Sequence, residues 1–127
     1  MVSINSLGVV LAVDDDALVL ELMGAAVEEA GFVVKAAPNL SAALDVLRTH
    51  PADRIVALVT DVRLGAQSGW ELARCARALD PELPVLYVTG DSGHEWSSQG
   101  VPRSHILVKP FSLEALGAAV SALVRDG

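Results

Sequence analysis

Short runs of unbroken apolar residues alternate along this chain with longer stretches whose apolar positions recur three and four residues apart. Val9-Val10-Leu11-Ala12-Val13 predicts a first strand, β1. The stretch from about Ala17 to Ala30 predicts a helix, α1, ended by Gly31 as a C-terminal glycine. Phe32-Val33-Val34-Lys35-Ala36 reads as β2. Pro38-Asn39 breaks the chain, and α2 runs through Ala43, Leu44 and Leu47 to about His50-Pro51. Ile55–Thr60 is β3. Ser68 and Glu71 have the spacing of a capping box, so α3 starts there and runs to Leu79. Beyond Pro81 and Pro84, Val85–Thr89 is β4 and Ser104–Val108 is β5. Ser112 caps α5, with Glu114 in its positive first turn and Leu113, Leu116, Val120 and Leu123 at helical spacing.

Strand and helix thus alternate five times, and strands of continuous Val, Leu and Ile suit a sheet covered on both faces. The architecture this predicts is α/β: a doubly wound, five-stranded parallel sheet, (βα)5. Residues 1–127 read as one domain, without repeat, linker or low-complexity tail. The stretch from Asp91 to Arg103 fits least well. It holds Gly93, Ser97, Ser98, Gly100 and Pro102 with little helical stripe, so the fourth helix is expected to be short, distorted or mobile.

The chemistry-bearing residues fall at strand ends. Asp14 and Asp15 close β1, Asp61 closes β3, Thr89 closes β4 and Lys109 closes β5. In a parallel α/β sheet the C-terminal strand ends share one rim, where such sheets carry their sites. Adjacent carboxylates repel, and burying them is costly without a compensating cation. Mg²⁺ suits such a group, being hard and oxygen-seeking and commonly held by one or two carboxylates with phosphate oxygens. Asp61 is the candidate nucleophile, since a carboxylate can attack phosphorus and become an acyl phosphate. Lys109 would take part of the phosphoryl charge, the Thr89 hydroxyl would donate to a phosphoryl oxygen, and Gly90 would leave the pocket open. Each residue also has an ordinary explanation: Asp16 as a cap of α1, Thr89 as strand propensity, Lys109 as a loop charge. Only the joint pattern outweighs them.

Composition narrows the field. Hydrophobic residues are 52% of the chain and charged ones 20%, which supports a buried core rather than disorder. The net charge of −7, with Lys and Arg scattered, argues against a nucleic-acid partner, which needs a basic face. No apolar stretch is long enough to span a membrane, and the N-terminus lacks the basic region of a signal peptide. The single cysteine, Cys75, has no internal partner and reads as a packing residue of α3, so a cytoplasmic location is expected. His50, His94 and His105 lack metal-ligand spacing. Trp70 and Trp96 are candidates for the core, although an exposed Trp96 would mark a partner surface.

Four stretches resemble response regulator receiver domains: Val13-Asp14-Asp15-Asp16, Val59-Thr60-Asp61-Val62-Arg63-Leu64, Leu83-Pro84-Val85-Leu86-Tyr87-Val88-Thr89-Gly90, and Val108-Lys109-Pro110-Phe111. They lie in the family's order and spacing over nearly the whole chain. The resemblance implies a flavodoxin-like receiver fold and a stand-alone switch that accepts a phosphoryl group, with Mg²⁺, from a sensor histidine kinase or histidine phosphotransferase. Asp61 would be the phosphoacceptor. Asp14, Asp15 and Asp61 would serve the metal together with the backbone carbonyl of Arg63. Thr89 would be the switch hydroxyl, Lys109 the phosphoryl contact, and the Lys109-Pro110 bond cis. Such a protein is not an enzyme beyond promoting its own phosphorylation and dephosphorylation. Its output would be an unknown downstream protein, and it would be a monomer or a weak dimer through the α4–β5–α5 face.

Three departures bear on output: Ile106 stands where the family often has an aromatic, Gly65-Ala66-Gln67 suggests a looser loop after Asp61, and the fourth helix is weak. Two rivals follow. Asp14-x-Asp16 also resembles the opening of haloacid-dehalogenase-type phosphatases, with Asp14 as nucleophile. A degenerate receiver would bind partners without phosphorylation.

Overall fold

The computed structural model describes residues 7–49, 55–91 and 93–126. Five parallel strands form the sheet in the order β2-β1-β3-β4-β5: β1 Val9–Val13, β2 Val33–Ala37, β3 Ile55–Asp61, β4 Val85–Thr89 and β5 Ser104–Val108. The helices are α1 Ala17–Glu29, α2 Leu40–Thr49, α3 Gly69–Leu79, α4 Trp96–Gln99 and α5 Leu113–Asp126. The predicted end of α2 at His50-Pro51 lies outside the described residues, as does His50 itself.

The period-two alternation of the strands divides the core. Val10, Ala12, Ala57, Val59, Leu86 and Val88 face α1 and α5, meeting Met23, Val27, Leu116 and Val120. Leu11, Val13, Leu58, Val85 and Tyr87 face α2 and α3, meeting Leu44, Trp70, Leu72 and Ala76. With both faces covered, the central strands are almost wholly buried, as their unbroken apolar runs require. Trp70 and Tyr87 pack as a tilted pair with ring centroids 4.5 Å apart.

The caps form as the sequence indicates. Asp16 accepts from the Leu18 and Val19 amides, Ser68 from Glu71 and Ser112 from Ala115. Gly31 follows α1 at φ +105°, a left-handed conformation open to glycine. The Lys109-Pro110 bond is cis.

Four expectations need correction or refinement. Strand β2 begins one residue later than predicted, because Phe32 is drawn out of the ladder into the core beside α1. Leu113 is 45% exposed: α5 turns its buried stripe through Leu116, Val120 and Leu123 and leaves its first residue in solvent. The loop after Asp61 is not loose. Arg63-Leu64 pairs antiparallel with Gln67-Ser68 around Gly65-Ala66, forming a miniature hairpin. The fourth helix is short, one 3-10 turn at Gly93–Glu95 followed by four residues, but it is well fastened. Trp96 is half-buried against the core and donates through Nε1 to Ser104 Oγ at 3.0 Å. Arg77 donates to the carbonyls of Leu83, Pro102 and Arg103, and Arg74 to that of Gln99.

Among the described residues, no helix is long and apolar enough to cross a membrane.

Candidate functional site

Register carries the scattered residues to one rim. Val13 lies opposite Thr60, so the next residues, Asp14 and Asp61, are neighbours. Asp61 lies opposite Val88, and Thr89 lies opposite Val108, so Thr89 and Lys109 follow on the same edge. The Lys109 amide donates to the Thr89 carbonyl at 2.7 Å, tying the β5 exit to the end of β4.

Asp14, Asp15 and Asp61 each bring a carboxylate oxygen within 4.8 Å of the others. Their settings differ. Asp14 is 1% exposed and Asp61 9%, whereas Asp15 is open to solvent. One Asp14 oxygen accepts from the Asp16 amide at 2.8 Å. The other, Oδ2, is buried without a hydrogen-bond partner among the described residues. Burial, with Asp61 and Asp15 adding like charge, pushes the Asp14 carboxyl up to about 6, against the pull of the Asp16 amide and Lys109. An orphaned carboxylate oxygen beside two other carboxylates is what a hard divalent cation satisfies, so the donor set fits Mg²⁺.

Lys109 stands across from the acids, its Nζ 3.6 Å from Asp61 Oδ2. A cavity of 320 Å³ opens between them, lined by Asp61, Arg63, Thr89, Gly90, Asp91 and Lys109. Thr89 is buried, and its Oγ1 accepts from the Asp91 amide at 3.3 Å. Arg63 sends its side chain outward to Asp91, with Nη2 2.7 Å from Oδ2.

Two further residues shape the site. Gly69, the first residue of α3, lies so close to the Asp61 carbonyl that any Cβ there would collide with it, and its amide donates to the Val62 carbonyl at 2.7 Å. The Ser68–Glu71 cap announced the helix, but only the close approach explains the glycine. Asp91 lies two residues beyond Thr89, as Arg63 lies two beyond Asp61.

The phosphatase reading depends on Asp14 working with Asp16. Asp16 instead spends its carboxylate on the α1 N-terminus, and Asp14 meets Asp15 and Asp61.

The fold, the strand order and this acidic rim are those of a receiver domain, and a family profile described as "Response regulator receiver domain" matches residues 10–121. The chain belongs to that family, and so to the response regulators of two-component signalling. It is 32% identical over 120 residues, 93% of this chain and 51% of the other, to the probable transcriptional regulatory protein SilR of Salmonella typhimurium. It is 34% identical over 118 residues, 91% of this chain and 50% of the other, to the response regulator MprA of Mycobacterium avium. The chain therefore spans about half the length of these curated relatives. Among solved structures, a response regulator receiver protein from Sinorhizobium medicae superposes with a TM-score of 0.85 at 38% identity, covering 93% of this chain and 94% of that one. The chemotaxis protein CheY4 of Vibrio cholerae superposes with a TM-score of 0.80 at 25% identity, covering 93% of this chain and 99% of that one.

Proposed function

We propose that this receiver takes a phosphoryl group onto Asp61 with Mg²⁺ bound by Asp14, Asp15 and Asp61, and switches a protein-binding surface in response. The observation that carries this reading is the orphaned Asp14 Oδ2 within a three-carboxylate cluster facing Lys109. By resemblance the Arg63 carbonyl joins the metal ligands. When bound, Mg²⁺ offsets the repulsion of the acids and shares the charge of the incoming phosphoryl group.

The chain's own residues do the rest. Asp61, held at the end of β3, presents its carboxylate to the cavity, and an oxygen attacks phosphorus as the bond to the donor nitrogen of a phosphohistidine breaks. Lys109 leaves its contact with Asp61 and follows the negative charge onto the phosphoryl oxygens. Thr89 donates its hydroxyl to one of those oxygens, which draws the β4 end and the turn beyond it inward and biases the surface around α4 and β5. The donor is a sensor histidine kinase or histidine phosphotransferase, and the receiver is a switch with no turnover of an external substrate.

The experiment is mass spectrometry after exposure to a small acyl-phosphate donor. A gain of one phosphoryl mass, Mg²⁺-dependent and lost in Asp61→Asn, is expected. An unmodified wild-type protein that remains folded would overturn the proposal. Turnover of a phosphomonoester abolished by Asp14→Asn but not Asp61→Asn would favour the phosphatase.

A further inference from the structure

Thr60, the residue before Asp61, is fully buried, and nothing above gives its hydroxyl a task. Its side chain lies in the β3 row of Leu58 and Val62, which faces α2 and α3. A hydroxyl in that apolar layer is costly unless it is bonded. Thr60 Oγ1 donates to the main-chain carbonyl of Asp61 at 2.8 Å. Val13–Thr60 is the last pair between β1 and β3, so Asp61 lies just past the ladder on that side. On the other side the Val62 amide donates to the Val88 carbonyl at 3.0 Å. Both polar groups of the peptide unit leaving Asp61 are therefore held, the carbonyl by Thr60 and the N–H by β4. The next carbonyl, that of Val62, accepts from Gly69 at 2.7 Å. The start of α3 comes so near that a Cβ on Gly69 would crowd the Asp61 carbonyl and Thr60 Oγ1 alike.

We infer that Thr60 is a positioning residue for phosphoryl uptake: its hydroxyl fixes the peptide plane after Asp61 and so the aim of the Asp61 carboxylate into the cavity. The inference rests on the acceptor reading above. Backbone dihedrals decide which side-chain rotamers are open, so a pinned peptide plane narrows the directions the carboxylate can take. In the step served, an Asp61 carboxylate oxygen bonds to phosphorus while the bond from phosphorus to the donor breaks, its electron pair leaving with the donor. That attack is made in line, and a small misplacement of the attacking atom costs a large factor in rate. Thr60 itself touches neither donor nor phosphoryl group.

The test compares the rate of Asp61 labelling by a small acyl-phosphate donor, at saturating Mg²⁺, in the wild type, Thr60→Val, Thr60→Ala and Thr60→Ser, at a temperature where circular dichroism shows each folded. Thr60→Val and Thr60→Ala, which lack the hydroxyl, should label about tenfold more slowly, and Thr60→Ser, which keeps it, within about twofold of wild type. A purely structural Thr60 predicts the reverse order, because valine keeps the buried volume and serine loses a methyl group. Alanine leaves no side chain to clash, so it carries the same expectation if valine disturbs the fold. Hydroxyl-free variants that label at the wild-type rate, or a serine variant as slow as they are, overturn the role of Thr60 while leaving Asp61 as acceptor. A folded wild-type chain that takes up no phosphoryl group at Asp61 overturns the acceptor reading and this inference together.

Discussion

Replacing Asp14 with asparagine should make this protein more stable while removing the function of its site. Asp14 is buried, its Oδ2 has no hydrogen-bond partner among the described residues, and two other carboxylates lie beside it. Its carboxyl titrates at about 6 in the folded chain against an ordinary value of 3.8. Between pH 3.8 and 6 the folded state therefore holds a proton that the unfolded state has released, so stability falls as pH rises through that window. At ~1.4 kcal/mol per pH unit, the ionised Asp14 costs the metal-free protein at most about 3 kcal/mol above pH 6. An asparagine side chain at this position keeps an oxygen for the Asp16 amide and gains an N–H for the neighbouring acids. Urea unfolding at pH 8 with a chelator present should therefore show Asp14→Asn about 1–3 kcal/mol more stable than the wild type. At pH 4 the gap should largely close. A variant less stable at pH 8, or a gap independent of pH, would be incompatible with an ionised Asp14 that costs stability.

Other perturbations should act as follows. Mg²⁺ should raise the melting temperature of the wild type at pH 8 in thermal-shift measurements, and Asp14→Asn and Asp61→Asn should lose most of that rise. Gly69→Ala should cost about 1–3 kcal/mol in denaturant unfolding, because its Cβ collides with the Asp61 carbonyl, and acyl-phosphate labelling of Asp61 should slow as the acceptor moves. Tyr87→Phe should cost about 1–2 kcal/mol in the same unfolding assay, since it leaves the buried Val101 amide without the hydroxyl it donates to at 3.1 Å. Arg77→Lys should loosen the α4–β5 connection, read as faster amide hydrogen exchange at residues 99–103, because an ammonium cannot reproduce the guanidinium fork on the Leu83, Pro102 and Arg103 carbonyls.

The sheet was legible because unbroken apolar strands and capped amphipathic helices leave a (βα)5 chain few ways to bury both faces. β1, β4 and β5 match residue for residue. The acidic rim was legible for the same reason, since a parallel sheet gathers its strand ends without regard to sequence separation. Missed features depend on contacts that no local pattern encodes. Leu113 fits the helical stripe by spacing, yet it lies exposed at the start of α5 while Leu116, Val120 and Leu123 are buried. Gly65-Ala66-Gln67 lacks proline and looked loose, yet two antiparallel residue pairs close it. The fourth helix reads as weak by propensity and is indeed short. Its fastening comes from arginines of α3, some 25 residues away, and from Trp96 folding back onto Ser104. The Arg63–Asp91 pair spans 28 residues and becomes visible only once both loops are in place.

On the reading developed above, the acids from β1 and β3, with Lys109 opposite, form a Mg²⁺-dependent phosphoryl site. Titration with beryllofluoride, followed by backbone NMR with and without Mg²⁺, is its sharpest test. Saturable shifts are expected at Asp14, Asp61, Thr89 and Lys109, spreading into residues 90–108 and vanishing when Mg²⁺ is withheld. Shifts that persist without Mg²⁺, or that leave Asp61 and Lys109 unmoved, would rule the site out.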